Sequence, residues 1–144
     1  MKILIASDHA GYNLKKYIME HFYDLHLEDL GTYDTQSVDY PDYADKLCKL
    51  LPAGSLDKNP EHIGILICGS GQGMAIKANK HSHIRAALCY DVITTRLSRE
   101  HNNANVLCLG ERILPVTLAQ EMVKTFLETQ FAEGRHINRV KKLC

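Results

Sequence analysis

Between Ile63 and Gly73 the chain reads Ile63-Gly64-Ile65-Leu66-Ile67-Cys68-Gly69-Ser70-Gly71-Gln72-Gly73, so a thiol stands where an apolar run breaks into alternating glycines. Glycines at such a point let the backbone take positive φ and bring N–H groups close to a ligand. A helix is expected from Met74 to Lys80, which completes the order strand, glycine loop, helix N-terminus. Unpaired N–H groups and the positive end of the helix dipole then face one point and favour an anion. The same field favours the thiolate of a cysteine on its rim, as a nucleophile or as a proton-abstracting base. Taken alone, a cysteine that closes a buried strand is more often a small hydrophobe. The loop is what gives Cys68 chemical weight.

Other groups offer weaker chemistry. Asp8 and His9 directly follow an apolar run, where a polar pair suits either a site or a helix cap. His101 is expected near a helix end, where a cation also complements the dipole. Arg135 and Arg139 are spaced to share one face of a last helix. They form either a solvated basic stripe or a clamp for a phosphate dianion. His81 and His83 sit in a turn with no third ligand in view, which argues against a metal.

Known phosphate loops fit poorly. A P-loop ends in Gly-Lys-Ser/Thr, but Met74 follows Gly73. The dinucleotide fingerprint G-x-G-x-x-G is replaced by G-x-G-x-G, on the third expected strand rather than the first. Asp91 stands near the distance expected of a ribose ligand, so a non-catalytic nucleotide-binding module remains an alternative.

The elements that must position these groups follow from periodicity. Apolar runs at 3–6, 25–30, 63–67, 84–89 and 106–110 read as strands, and helical spacing appears at 12–22, 41–51, 74–80, 92–101, 115–131 and 135–143. Strict alternation predicts an α/β, three-layer Rossmann-like fold, with a five-stranded parallel sheet, helices on both faces and a protruding C-terminal helix. Ligands in such folds bind beyond the carboxyl ends of the strands. The polar stretch 52–62 reads as a surface loop, so residues 1–144 are expected to be a single domain.

Composition bounds the partners. Lys plus Arg and Asp plus Glu balance at 17 each, so net charge offers no attraction to nucleic acid or a membrane surface. The first apolar run is broken by Asp8, far short of a signal-peptide or spanning length. The five cysteines, Cys48, Cys68, Cys89, Cys108 and Cys144, are odd in number and form no C-x-x-C pair. They read as reduced thiols, which points to the cytoplasm.

Taken together, Ser7-Asp8-His9-Ala10-Gly11, Asp39-Tyr40-Pro41, Gly64 to Gly73, Ala78-Asn79-Lys80, Ile84-Arg85-Ala86, Ser98 to Leu107 and Gly134-Arg135-His136 strongly resemble ribose-5-phosphate isomerase type B. That family also includes the galactose-6-phosphate isomerase subunits. The resemblance implies interconversion of ribose 5-phosphate and ribulose 5-phosphate through a cis-enediolate, with no metal or organic cofactor. It implies Cys68 as the base, and Ser70 with the N–H groups from Gly69 through Gly71 to Gly73 as stabilisers of the enediolate oxygen. It gives ring opening to His101 and Asp8, hydroxyl positioning to Tyr40 and Asn102, and the phosphate to His9, Arg135 and Arg139, with Arg112 as a further candidate. It implies a homodimer, with a dimer of dimers left open, in which His101 and the last helix reach the partner's Cys68 loop. A six-carbon phosphosugar, allose or galactose 6-phosphate, is the alternative substrate. Two departures stand out: Ser70 replaces a frequent threonine, and Met74 occupies the position at which one branch of the family has a glutamate base. The latter places this chain with the cysteine branch.

Overall fold

The computed structural model describes residues 1–53 and 59–143. Residues 54–58 of the expected 52–62 loop, and Cys144, lie outside the described residues. Five strands, β1 (Lys2–Ser7), β2 (Glu28–Asp29), β3 (His62–Cys68), β4 (Ala86–Leu88) and β5 (Val106–Gly110), form one parallel sheet in the order β2-β1-β3-β5-β4. The helices are α1 (Tyr12–His21), α2 (Tyr40–Leu50), α3 (Gln72–Ala78), α4 (Val92–Asn102), α5 (Val116–Glu128) and α6 (Ile137–Val140).

Strand periodicity splits the core in two. Ile3 and Ile5, Ile63, Ile65 and Ile67, and Leu107 and Leu109 face one way, onto Leu14 and Ile18 of α1 and Met122, Val123 and Phe126 of α5. Leu4 and Ala6, Leu66 and Cys68, and Val106 and Cys108 face the other way, onto Leu47 of α2 and Met74, Ala75 and Ala78 of α3. Each central strand is therefore buried on both sides, which is why it reads as a continuous apolar run. Gly64 belongs to this packing, because a Cβ there would lie 2.6 Å from Leu47 Cδ2.

The elements depart from expectation mainly at the sheet's margins. β2 is only Glu28–Asp29, since the chain before it makes a 3-10 turn at Tyr23–Leu25 and His26 is left-handed with φ 50. β4 contracts to Ala86–Leu88 because the Arg85 N–H is taken by Asn105 Oδ1 at 2.7 Å. The last helix is a 3-10 turn at Gly134–His136 followed by the single α-turn of α6, with Val140 fully buried. No helix among the described residues is long and apolar enough to cross a membrane.

Order reverses between β1 and β3, the crevice at which parallel sheets bind ligands. The start of α1 lies flush against the end of β3 there, since a Cβ on Gly11 would stand 2.6 Å from the Ile67 carbonyl oxygen. Backbone cannot yield as a side-chain tip can, so Gly11→Ala should cost about 1–3 kcal/mol of stability as α1 lifts from the sheet. Urea denaturation of the purified variant reads this directly, and an unchanged midpoint would contradict the packing.

Candidate active site

Cys68 is the last residue of β3, on the α2–α3 side of the sheet, and 5 % exposed. Its Sγ accepts the Gly71 N–H at 3.1 Å. The chain turns at once: Gly71 is left-handed with φ 79 and precedes the first residue of α3. Among the three loop glycines, this one alone has the positive φ expected of all three. Gly69 and Gly73 serve close approach instead. A Cβ on Gly69 would lie 3.1 Å from Arg112 Nη1, and one on Gly73 would lie 2.6 Å from the ring of Tyr40. Ser70 Oγ accepts the Gln72 N–H at 3.4 Å, and the Ser70 carbonyl accepts the Tyr90 hydroxyl at 3.0 Å.

The end of β1 supplies the opposite wall. Asp8 is buried and its Oδ1 accepts the N–H groups of Ala10 at 2.9 Å and Gly11 at 3.1 Å. His9 Nδ1 accepts the Val38 N–H at 3.2 Å, which ties the segment leading to Tyr40 and α2 against the site. That segment is anchored further back by Lys15, wholly buried, whose Nζ donates to Asp29 Oδ1 and the Thr32 carbonyl, both at 2.5 Å. Burial lowers the Lys15 pKa, against the Asp29 carboxylate, which raises it. Glu111 Oε2 accepts the Leu14 N–H at 2.8 Å and so caps the start of α1.

These residues form one constellation: Cys68, Ser70, Gly69, Gly71, Gly73, Asp8, His9, Tyr40 and Arg112 all lie at the carboxyl edge of the sheet or on the segments just beyond it. His101 and Asn102 do not join it. They end α4, whose chain then enters β5 at Val106, paired with Gly64, whereas Cys68 pairs with Gly110. The run of β5 separates the two ends by about 13 Å along the sheet. His101 instead stacks on His136, with ring centroids 4.4 Å apart and planes at 12°. Slight burial, then His101, Arg135 and Arg139, lower the His136 pKa, so the two arginines lie near the His101–His136 stack at the end of α4 and form a second group there.

Sequence reasoning gave no role to Tyr90, Glu111 or His136. Tyr90 and Glu111 sit just after strand ends, where a polar side chain is a site candidate, and that was the available signal. Asp91, weighed above as a ribose ligand, caps α4 through Thr94 N–H at 2.7 Å. His81 Nε2 pairs with Asp45 Oδ1 at 2.7 Å and His83 Nε2 with the Cys48 carbonyl at 2.9 Å. Among the described residues no group of three or more His, Cys, Asp or Glu side chains could hold a metal ion.

The model of the family described as Ribose/Galactose Isomerase matches residues 3–143. The chain belongs to this family. It is 39 % identical over 144 residues to ribose-5-phosphate isomerase B of Escherichia coli, covering 99 % of this chain and 93 % of that one. Ribose-5-phosphate isomerase B of Clostridium thermocellum superposes with a TM-score of 0.91 at 45 % identity, covering 99 % of this chain and 95 % of the other. The Mycoplasma genitalium enzyme, solved with bound ribulose-5-phosphate, superposes with a TM-score of 0.85 at 40 % identity, covering 99 % and 93 %.

Cys48, Cys68, Cys89 and Cys108 are free thiols. Burial, then Asp45, pushes Cys48 up to about 12, and burial raises Cys89 and Cys108 as well. A thiol so raised carries almost no thiolate at pH 8 and resists alkylation. Among these four, iodoacetamide at pH 8 should therefore modify Cys68 first, as read by peptide mass mapping. Prior labelling of Cys48, Cys89 or Cys108 would overturn the assignment of reactivity.

Proposed function

We propose that this chain interconverts ribose 5-phosphate and ribulose 5-phosphate, with Cys68 as the base. The observation that carries the reading is the Cys68 sulfur, held at the end of β3 by the Gly71 N–H, with Asp8 and His9 following the end of the neighbouring strand β1, in a member of this isomerase family. The thiolate takes the proton from C2 of the open-chain aldose and returns it to C1 of the cis-enediolate. Negative charge develops on the enediolate oxygen, and Ser70 with the loop N–H groups of Gly69 and Gly73 lies where preorganised donors lower that barrier, while the Gly71 N–H holds the sulfur of the base. Asp8 and His101 open the furanose ring. Tyr40 and Asn102 hold hydroxyls, and His9, Arg112, Arg135 and Arg139 hold the phosphate, whose binding energy orients the reacting end.

A homodimer completes the site on this reading. Asp8 and Cys68 stand at one edge of the sheet and His101 at the other, so ring opening and proton transfer meet only when the α4 end of one subunit reaches the Cys68 loop of its partner. The edge strand β4 is flanked by exposed apolar side chains, Ile76 on α3, Tyr90, and Ile93 on α4, which suit such a contact. Free buried thiols accord with a cytoplasmic enzyme.

Cys68→Ala should lower turnover of ribose 5-phosphate by about 10²–10⁴-fold while the sugar phosphate still binds, measured by steady-state kinetics and calorimetry. Wild-type turnover in that variant would remove Cys68 from the chemistry. Co-expression of Cys68→Ala with His101→Asn chains tests the shared site, since mixed dimers carry one intact site each. Random pairing then restores about a quarter of wild-type activity, and no restoration would place both residues in sites of a single chain.

A further inference from the structure

Arg99 is 1 % exposed, in the last turn of α4, which ends with His101 and Asn102. Its Nη1 donates to Asn103 Oδ1 at 2.7 Å and to the Ala104 carbonyl at 2.6 Å, and its Nε to the Thr129 carbonyl at 3.2 Å. The guanidinium carbon lies 5.6 Å from the centre of the Phe126 ring. No carboxylate among the described residues forms an ion pair with it. Burial, then the neighbouring Arg85, lowers its pKa to about 10, which leaves it charged at neutral pH. Enclosing a cation without a counter-charge is unfavourable unless its hydrogen bonds are good. Here three of them run to the chain leaving α4 and to the end of α5.

What those bonds hold is a left-handed turn. Asn103 is left-handed, φ 47 and ψ 44, a conformation in which a non-glycine residue is uncommon. Its N–H returns to the Arg99 carbonyl and the Ala104 N–H to the Ser98 carbonyl, both at 3.0 Å. A second guanidinium grips the same residue, since Arg85 Nε donates to the Asn103 carbonyl at 2.9 Å. Two buried arginines, one in α4 and one just before β4, thus fix the residue that follows Asn102. From the other side, the His101 ring is fixed by its stack on His136. The helix end is clamped far more firmly than chain reversal requires, because Asn at this position already tolerates the left-handed conformation.

We propose that Arg99 is a positioning residue for opening of the sugar ring, acting through Asn103 to fix the direction in which His101 and Asn102 leave α4. The inference rests on the role given to His101 above. Lysine cannot replace the guanidinium here, since a point charge on a flexible stem cannot reach the Asn103 side chain and the Ala104 and Thr129 carbonyls together.

The test uses the full-length enzyme and separates the ring step from proton transfer. Ribose 5-phosphate is offered mainly as a closed furanose, whereas ribulose 5-phosphate, phosphorylated on the oxygen that would close the ring, is already open, so exchange of its C1 proton with heavy water needs the base but no ring step. Arg99→Lys should lower kcat for isomerisation by about 10- to 100-fold in both directions, leave the KM for ribose 5-phosphate nearly unchanged, and lower the exchange rate of ribulose 5-phosphate far less. Asn103→Gly keeps access to the left-handed turn but loses the Oδ1 that Arg99 holds, and should show the same split more weakly; it also serves if Arg99→Lys folds poorly. Equal losses of isomerisation and exchange, or none, would overturn the proposal and leave Arg99 a purely structural residue. His101→Asn is measured in parallel. If it shows the split and the Arg99 and Asn103 variants do not, the clamp alone is wrong; if His101→Asn lacks it, the ring-opening role of His101 falls, and the positioning role with it.

Discussion

Gly110 lies so close to the cysteine loop that a Cβ on it would stand 2.6 Å from the Ser70 carbonyl carbon. Pairing between β3 and β5 continues past the strands at this contact: the Glu111 N–H reaches the Cys68 carbonyl at 2.9 Å and the Arg112 N–H the Gly69 carbonyl at 3.0 Å. The loop that carries the thiol is therefore an extension of the sheet rather than a free turn. Its position is set by backbone hydrogen bonds, which tolerate little drift, and the neighbouring side chains inherit that precision. Arg112 is laid over Gly69, Tyr40 over Gly73, and Glu111 is delivered to the start of α1. A base that must sit within hydrogen-bond reach of a carbon-bound proton gains from such support.

A parallel sheet also divides chemistry between its edges. Every strand ends at one edge and every returning helix at the other, so groups at strand ends meet one another and groups at helix ends do not join them. Asp8, Cys68 and Arg112 obey the first rule. His101 and Asn102, at the last turn of α4, obey the second. The short C-terminal segment lies with the latter, and His136 stacks on His101 to bring Arg135 and Arg139 into the same cationic group. Each edge holds half of the residues that the proposed reaction needs, which is a physical reason for a site built between two chains.

The central strands were legible because burial on both faces leaves unbroken apolar runs, as in Ile63–Ile67 and Val106–Leu109. The margins were not. Leu25 to Leu30 alternates like a strand, yet Tyr23–Leu25 winds into a 3-10 turn and only Glu28 and Asp29 pair with β1. Periodicity reports which faces are apolar and says nothing of which strands become neighbours, so the placing of β5 between β3 and β4 had to come from the structure. In the site, Cys68 and Asp8 were legible because each interrupts an apolar run. Glu111 was not, since its role as a cap depends on Leu14, which lies 97 positions away. The clamp on Asn103 was hidden for the same reason: Arg85, Arg99 and Asn103 come together only through packing.

The start of α1 bears on how a sugar phosphate lies in this site. Strand, loop and helix N-terminus form an anion site by default, and two such termini stand here, those of α1 and α3. At α1 the N–H groups of Ala10 and Gly11 are taken by Asp8 and that of Leu14 by Glu111, so an incoming phosphate dianion would meet two carboxylates instead of free donors. At α3 the Gly71 N–H is taken by the sulfur of Cys68, and a phosphate there would compete with the thiol for that donor. Neither terminus suits the dianion. Of the arginines given to the phosphate, Arg112 lies over Gly69 beside the Cys68 loop, and Arg135 and Arg139 lie with His136 at the opposite edge of the sheet. On the proposed reading the phosphate is thereby directed to the arginines, and the uncharged end of the sugar, where the proton moves between two carbons, is left to face Cys68.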